Sequence, residues 1–306
     1  MIPYNPHRWT SHLFDVRGSM VQEILGRVAV CVLWSTVVTM AHYRFPEWFR
    51  GFEFPATGHT LLGVVVGLLL VFRTNSSYDR FWEGRKLWGS LINESRNLGR
   101  LNQSLLQSTP EIQQRLSLWT SAFSWATMYR LRNERSLGPI AQELPPDDVH
   151  AAISALHPPM FVAGQMTNLV NEAHRAGHID SIQQGFFDHN MTLLVDYLGG
   201  CERIRNTPAP FAYTVHLRRV LMVYCFTLPL ALVNDFGWQT IVATLIIAYT
   251  MFGIEEIGVE IEDPFGVDSN DLPLEDFCRT IQSNLAEFTS AQRSATEPVH
   301  GPLIQN

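Results

Sequence analysis

The chain has 306 residues, 46% of them hydrophobic, and a formal net charge of −7 with Lys86 as its only lysine. That balance leaves no polybasic patch and excludes nucleic acid as a natural partner. The four cysteines show no CxxC spacing, which argues against a zinc knuckle or a disulfide framework, and Cys31 and Cys225 fall in apolar stretches that suit buried thiols.

The apolar residues are concentrated rather than spread. Residues 21–43 form a run of membrane-spanning length, with Arg27 near one end where its stem can snorkel. The run is too long for a signal h-region and lacks an A-x-A cleavage pattern, so it reads as a retained first span. The second apolar run, residues 60–72 of a span over 58–72, would rise only about 20 Å as a helix, short of the ~30 Å hydrocarbon core. It passes without a breaker into FRTNSSYDRFWEGRKLWG, residues 72–89. Nothing between Leu61 and Trp88 is Pro, and only Gly63, Gly67 and Gly84 interrupt, so one continuous rod is predicted to leave the membrane and run on into water. A helix lining a water-filled axis need not be apolar over its full length or on every face, which accounts for the deficit.

The stretch 73–219 carries little strand signal and reads as helices packed under the membrane. Ser108-Thr109-Pro110-Glu111 starts a helix through IQQRLSLWTSAFSWATMYRL. Pro145-Pro146-Asp147-Asp148 caps a short helix to about Leu156, which His157-Pro158-Pro159 ends. Residues 179–205 form another long helix. Residues 220–233 and 236–256 are the third and fourth spans, a hairpin turning at Asn234-Asp235 with Pro229 kinking its first arm. Carboxylates then crowd residues 255–271, where Pro264 and Gly266 force a turn. An amphipathic helix over 274–288 packs back on the bundle, and the last dozen residues form a loose tail.

The result is an all-α chain of four spans with a large helical region outside the membrane (73–219 and 257–306), one intertwined domain over 1–306. Four spans put both termini on one side. Arg8, Arg17, Arg27 and most arginines between Arg73 and Arg219 share that side, against Arg44 and Arg50 in the first opposite loop, so the positive-inside rule places termini and middle region in the cytoplasm.

Three segments carry a resemblance: Arg17-Gly18-Ser19, Tyr78-Asp79-Arg80-Phe81-Trp82-Glu83 and Asp263-Pro264-Phe265-Gly266-Val267-Asp268. In their order, spacing and four-span frame the chain resembles the bestrophins, in particular the bacterial members. The resemblance implies a funnel-shaped homopentamer in a bacterial inner membrane, with a single axial ion pore, a neck formed by the second span and a second constriction at the cytoplasmic exit. Its neck pattern of three apolar residues at i, i+4 and i+8 lands on Val64, Leu68 and Phe72, which share a helix face. Its cytoplasmic aperture lands on Ile182, with Ile179 as second choice. The calcium clasp of animal members would fall on Glu260, Asp263, Asp268 and Asp271. Acids stand at Glu260 and Asp263 where that pattern has amides, and Ser269 and Asn270 interrupt the run. The expectation is that no cofactor is required, with Ca2+ as the alternative to a structural turn whose acids accept backbone N–H bonds.

Tyr78, Asp79, Arg80, Trp82 and Arg85 are expected at a subunit interface, with Trp82 and Arg85 as its large aromatic and cationic anchors, the bland alternative being pairing within the helix. His174 and His178 stand at i, i+4 near Glu172, a spacing also found in metal-binding helices, but without a third ligand they read as an exposed helix face. No nucleophile elbow, P-loop or dinucleotide fingerprint stands in a credible context, so no enzyme is expected. The expected function is passive conduction of small monovalent ions, Na+ and K+ ahead of Cl−, because the chain is acidic and Val64 and Leu68 are aliphatic as in the bacterial neck. Partners are copies of the chain itself, membrane lipid and the permeating ions. The rivals are an anion-selective channel, a membrane-anchored interaction module and a metal-dependent membrane enzyme built on His174, His178 and the acids.

Overall fold

The computed structural model describes residues 18–49 and 56–296. Arg8, Arg17 and Arg50 lie outside them, as do residues 297–306 of the expected tail. Among the described residues every regular element is helical: α1 (Val21–Arg44), α2 (Pro46–Phe49), α3 (Ala56–Leu105), α4 (Pro110–Leu131), a 3-10 turn (Gly138–Glu143), α5 (Pro146–Ser154), α6 (Pro158–Arg175), α7 (Ser181–Asn206), α8 (Phe211–Phe236), α9 (Gln239–Glu260) and α10 (Leu274–Thr296). Four of them, α1, α3, α8 and α9, are long and apolar enough to cross a membrane. The all-helical, four-span architecture is therefore as the sequence predicts. The chain divides into two compact units, Met1–Trp82 with Thr207–Asp271 and Glu83–Asn206 with Leu272–Asn306.

In the first unit α1 packs on both α8 and α9. Its core takes Ile24, Val28 and Cys31 from α1, Val66 and Leu70 from α3, Leu221, Tyr224 and Cys225 from α8, and Ala248 and Phe252 from α9. Small hydroxyl residues let α1 and α9 approach and are satisfied locally: Thr244 Oγ1 donates to Ser35 Oγ at 3.1 Å and Thr39 Oγ1 to the Ser35 carbonyl at 2.8 Å. The α8–α9 hairpin turns later than Asn234-Asp235. Both residues stay in α8, and the reversal falls at Gly237, with φ 52° and ψ −125°. A side chain is strained in that conformation, and a Cβ there would meet the Tyr43 hydroxyl. Pro229 sits inside α8 without ending it.

In the second unit α4 is the central helix, touching α6, α7 and α10. It is buried almost all round, and its hydroxyls bond back into the helix, as Thr120 Oγ1 does to the Leu116 carbonyl. Its Pro110 start, with Glu111 in the first turn, is as predicted. The sequence foresees helix α6 only around His174, not its start at Pro158. Pro158 and Pro159 read as terminators, yet they occupy the first helical positions, where no backbone N–H is needed, and the His157 side chain accepts the Met160 N–H at 3.4 Å. Helix α3 also runs on to Leu105, well beyond Trp88.

Candidate functional site

Helix α3 separates two faces by residue period. Val66, Leu70, Arg73 and Ser77 are buried, whereas Val64, Leu68 and Phe72 are 67%, 53% and 58% exposed. Gly63 seats the helix against α8: a Cβ there would lie 2.8 Å from the Tyr224 hydroxyl, so a larger residue would force that ring or the helix to shift. Of the four spans α3 is the least covered, with 22% of its apolar stretch buried against 28–39% in the others. Val64, Leu68 and Phe72 thus share one uncovered stripe. Apolar side chains of this kind can narrow and dry a passage but cannot ligate an ion.

Just beyond the stripe, Tyr78 and Trp82 are both exposed and meet edge to face, ring centroids 6.1 Å apart. The two cations are committed inside the protomer. Arg80 donates from Nε to the Glu262 carbonyl at 3.1 Å and from Nη1 to the Thr207 carbonyl. Arg85 lies over the Phe277 ring, 4.8 Å from its centroid. Asp79 is exposed.

The first unit also holds charge networks that sequence reasoning missed. Glu255, buried on α9, receives Arg27 at 3.2 Å and Arg218 at 2.9 Å, while Arg27 also reaches Glu256 at 2.7 Å. Arg73, 3% exposed, donates to Glu262 at 2.6 Å and to Thr214 Oγ1 at 2.9 Å. Glu262 in turn accepts the Ala209 N–H at 2.7 Å. The sequence signalled the need but not the partner: an arginine directly after an apolar run, and paired acids at the end of a span, must each find an opposite charge or remain wet.

Glu260, Asp263, Asp268 and Asp271 do come together, lining one cavity of about 460 Å³ with Gly18, Ser19 and Glu256. Their oxygens serve the turn itself. Asp271 Oδ2 accepts the Asp268 N–H at 2.7 Å, Asp263 Oδ1 the Phe265 N–H at 3.3 Å, and Glu260 Oε1 the Asn270 side-chain amide at 2.8 Å. Burial pushes the Asp271 carboxyl up to about 6 against the pull of that N–H, with Asp268, Asp263 and Glu260 adding repulsion. Among the described residues no group of three or more His, Cys, Asp or Glu side chains is disposed to hold a metal ion. As placed, these carboxylates cap their own turn.

The two aperture choices part clearly. Ile182 is 72% exposed in the first turn of α7 and Ile179 is 4% exposed. Asp180 caps that turn, its Oδ1 accepting the N–H groups of Ile182 and Gln183 at 2.8 Å while Gln183 Oε1 accepts the Asp180 N–H at 3.0 Å. His174 and His178 do not share a helix face: α6 ends at Arg175, and Gly177, with φ 78°, turns the chain before His178. His174 faces Ser181 Oγ at 3.2 Å instead. Burial pushes the Cys201 and Cys278 thiols up to about 12, which leaves them poor nucleophiles.

Residues 1–287 match the family described as Bacterial/Fungal Bestrophin protein. A voltage-dependent anion channel-forming protein of Synechocystis sp. is 39% identical over 288 residues, 93% of this chain and 92% of its own length. A protein of the same description from Escherichia coli K12 is 31% identical, covering 94% of each chain. The crystal structure of a bacterial bestrophin homolog from Klebsiella pneumoniae superposes with a TM-score of 0.82 at 32% identity, over 87% of this chain and 98% of that one. The chain belongs to the bacterial and fungal bestrophin family, an integral-membrane channel family and not a family of enzymes.

Proposed function

We propose that five copies of the chain surround one axis and that α3 lines it, with Val64, Leu68 and Phe72 as an apolar neck and Ile182 as a second ring at the exit. The observation that carries this reading is the uncovered stripe on the least buried span. In lipid alone such a stripe would be unremarked, but the same exposed face continues past Phe72 into Asn75 and Asp79, which need water rather than lipid. An axis shared with other copies supplies both the cover and the water.

Tyr78 and Trp82, with Asp79, Arg80 and Arg85 beside them, lie at or near the contact between copies, the two aromatics making the direct anchors. The membrane is the bacterial inner membrane, and the arginine distribution puts both termini and the residues between the second and third spans on the cytoplasmic side. The whole chain works as one unit, and no resident metal is needed.

Conduction is passive and favours small monovalent cations slightly over chloride, because a chain of net charge −7 draws cations to its mouths and the aliphatic neck contacts either ion weakly. A second reading, chloride selectivity, is favoured by the description of relatives as anion channel-forming proteins. Purified protein in planar bilayers under an NaCl gradient separates them. A reversal potential on the sodium side of zero supports the first reading, and one near the chloride equilibrium potential replaces it with the second. Leu68→Ala is expected to raise conductance by widening and wetting the neck. Unchanged conductance in Leu68→Ala and Phe72→Ala returns these residues to ordinary packing.

A further inference from the structure

Asp79 is placed above beside the contact between copies, but the polar half of the α3 stripe has been given no part in permeation. An α-helix advances about 100° per residue, so the eleven residues from Leu68 to Asp79, and the seven from Phe72 to Asp79, each bring Asp79 back within about 20° of the starting register. Asp79 therefore continues the neck face. It stands about 10 Å along the helix from Phe72, two turns toward the polar end, with Asn75 the residue between them in that register. Asn75 and Asp79 are both exposed, as the apolar stripe before them is.

The surroundings leave its charge uncompensated. The adjacent Arg80 is turned into the protomer, held by the Glu262 and Thr207 carbonyls. Glu83, the acid one turn on, pairs with Arg203. Tyr78 and Trp82 pack on each other at the Val64 edge of the stripe. Among the described residues Asp79 makes no hydrogen bond or ion pair.

We infer that Asp79 is a specificity-determining residue, forming a ring of carboxylates at the polar side of the neck that concentrates cations there and biases permeation toward them. This rests on the reading of α3 as the pore helix of an assembly about one axis. A separation of about 10 Å from Phe72 is close to the Debye length of about 8 Å at physiological salt, so the field of a ring persists at the neck mouth, and it is screened within about 3 Å at 1 M. Contact with the ion is not required, since a fixed charge acts on the local ion concentration.

The experiment compares parent, Asp79→Asn, Asp79→Glu and Leu68→Ala in planar bilayers of uncharged lipid under an NaCl gradient, with oligomeric state read by light scattering in detergent. Asp79→Asn is expected to lower the sodium-to-chloride permeability ratio about two-fold or more near 0.1 M salt, with the difference shrinking toward 1 M. Asp79→Glu keeps the parent ratio. The inference concerns the direction of the shift, so it holds whether the parent prefers sodium or chloride. If Leu68→Ala alters conductance while Asp79→Asn leaves the ratio unchanged, the neck stands and this inference is overturned. If neither variant changes permeation, the neck reading falls first and the inference with it. Loss of the parent oligomer in Asp79→Asn but not in Asp79→Glu places the carboxylate in a contact between copies and also overturns it.

Discussion

Asp271 folds back on Asp268, its Oδ2 accepting the Asp268 N–H at 2.7 Å, and lies so close to Gly266 that a Cβ there would stand 2.6 Å from the same oxygen. The acidic turn is thus closed by its own carboxylate. Asp271 is 4% exposed and its pKa is raised from 3.8 to about 6 by burial first, with crowding by neighbouring acids adding to it. A raised pKa means the folded chain binds the proton more tightly than the unfolded one. The stability that protonation contributes is complete below about pH 4 and is lost as pH rises through about 6. Asp271→Asn keeps an acceptor for the N–H and removes the charge. It should match the parent near pH 4 and exceed it near pH 7.5 by on the order of 1–2 kcal/mol, read as a higher Tm in detergent. Adding about 1 mM calcium or a chelator should move neither Tm; a calcium-dependent rise in the parent that Asp271→Asn abolishes would restore the clasp.

The two buried acid clusters should respond unequally to loss of an acid. Glu262→Ala leaves Arg73, 3% exposed, without its carboxylate and frees the Ala209 N–H. A cost of roughly 3–5 kcal/mol is expected for an uncompensated buried charge. Glu255→Ala removes an acid that is more buried than Glu262, 3% against 17% exposed, but Arg27 keeps Glu256 and the Arg218 side chain is half exposed. Its cost should be about 1–2 kcal/mol. Thermal unfolding of both variants in one detergent tests the ranking, and equal losses would mean that Arg73 finds another partner or water.

How far the sequence spoke can be seen in particular residues. The continuous α3 was legible because nothing between Leu61 and Trp88 breaks a helix, and the start of α4 was legible because Pro110 and Glu111 are both start signals. Pro158 and Pro159 misled because proline marks a helix start as readily as a stop, and only the His157 cap decides between them. Asn234-Asp235 misled for a related reason: polar residues tolerate a turn, but only Gly237 can take its backbone angles. At the site, Val64, Leu68 and Phe72 were picked out by the neck pattern that the resemblance implies, and the helix period added only that the three share a face. The pairing of Arg73 with Glu262 joins residues 189 positions apart, and no local pattern encodes such a contact.

The aromatic pair and the cations of the motif segment should separate in their effects on assembly. Tyr78 and Trp82 present exposed rings, whereas Arg80 and Arg85 are engaged within the protomer. Trp82→Ala should therefore yield smaller species or aggregate in detergent while the folded protomer keeps its helicity. Arg80→Ala should lower Tm by a few degrees, reflecting about 1–2 kcal/mol, before it changes the oligomer. A Trp82→Ala protein that remains a monodisperse oligomer with the parent Tm would remove Trp82 from the interface.

Ile182 and Ile179 offer the sharpest separation of pore lining from packing, because they stand three residues apart and differ in exposure from 72% to 4%. Removing the Ile179 side chain should leave a cavity and cost about 2–5 kcal/mol, with little change in permeation among the molecules that still fold. Removing the Ile182 side chain buries nothing new and empties no core. Ile182→Ala should keep the parent Tm within about 0.5 kcal/mol equivalent, since exposed substitutions away from caps are close to neutral. The cap itself is untouched, because Asp180 Oδ1 receives the backbone N–H of residue 182 whatever its side chain. Conductance, relative permeability or both should nevertheless change in Ile182→Ala, since a ring of these side chains would set the width of the exit. Paired bilayer recordings and thermal melts decide the matter: unchanged currents in Ile182→Ala, with altered currents in a folded Ile179→Ala, would move the aperture off the exposed face of α7.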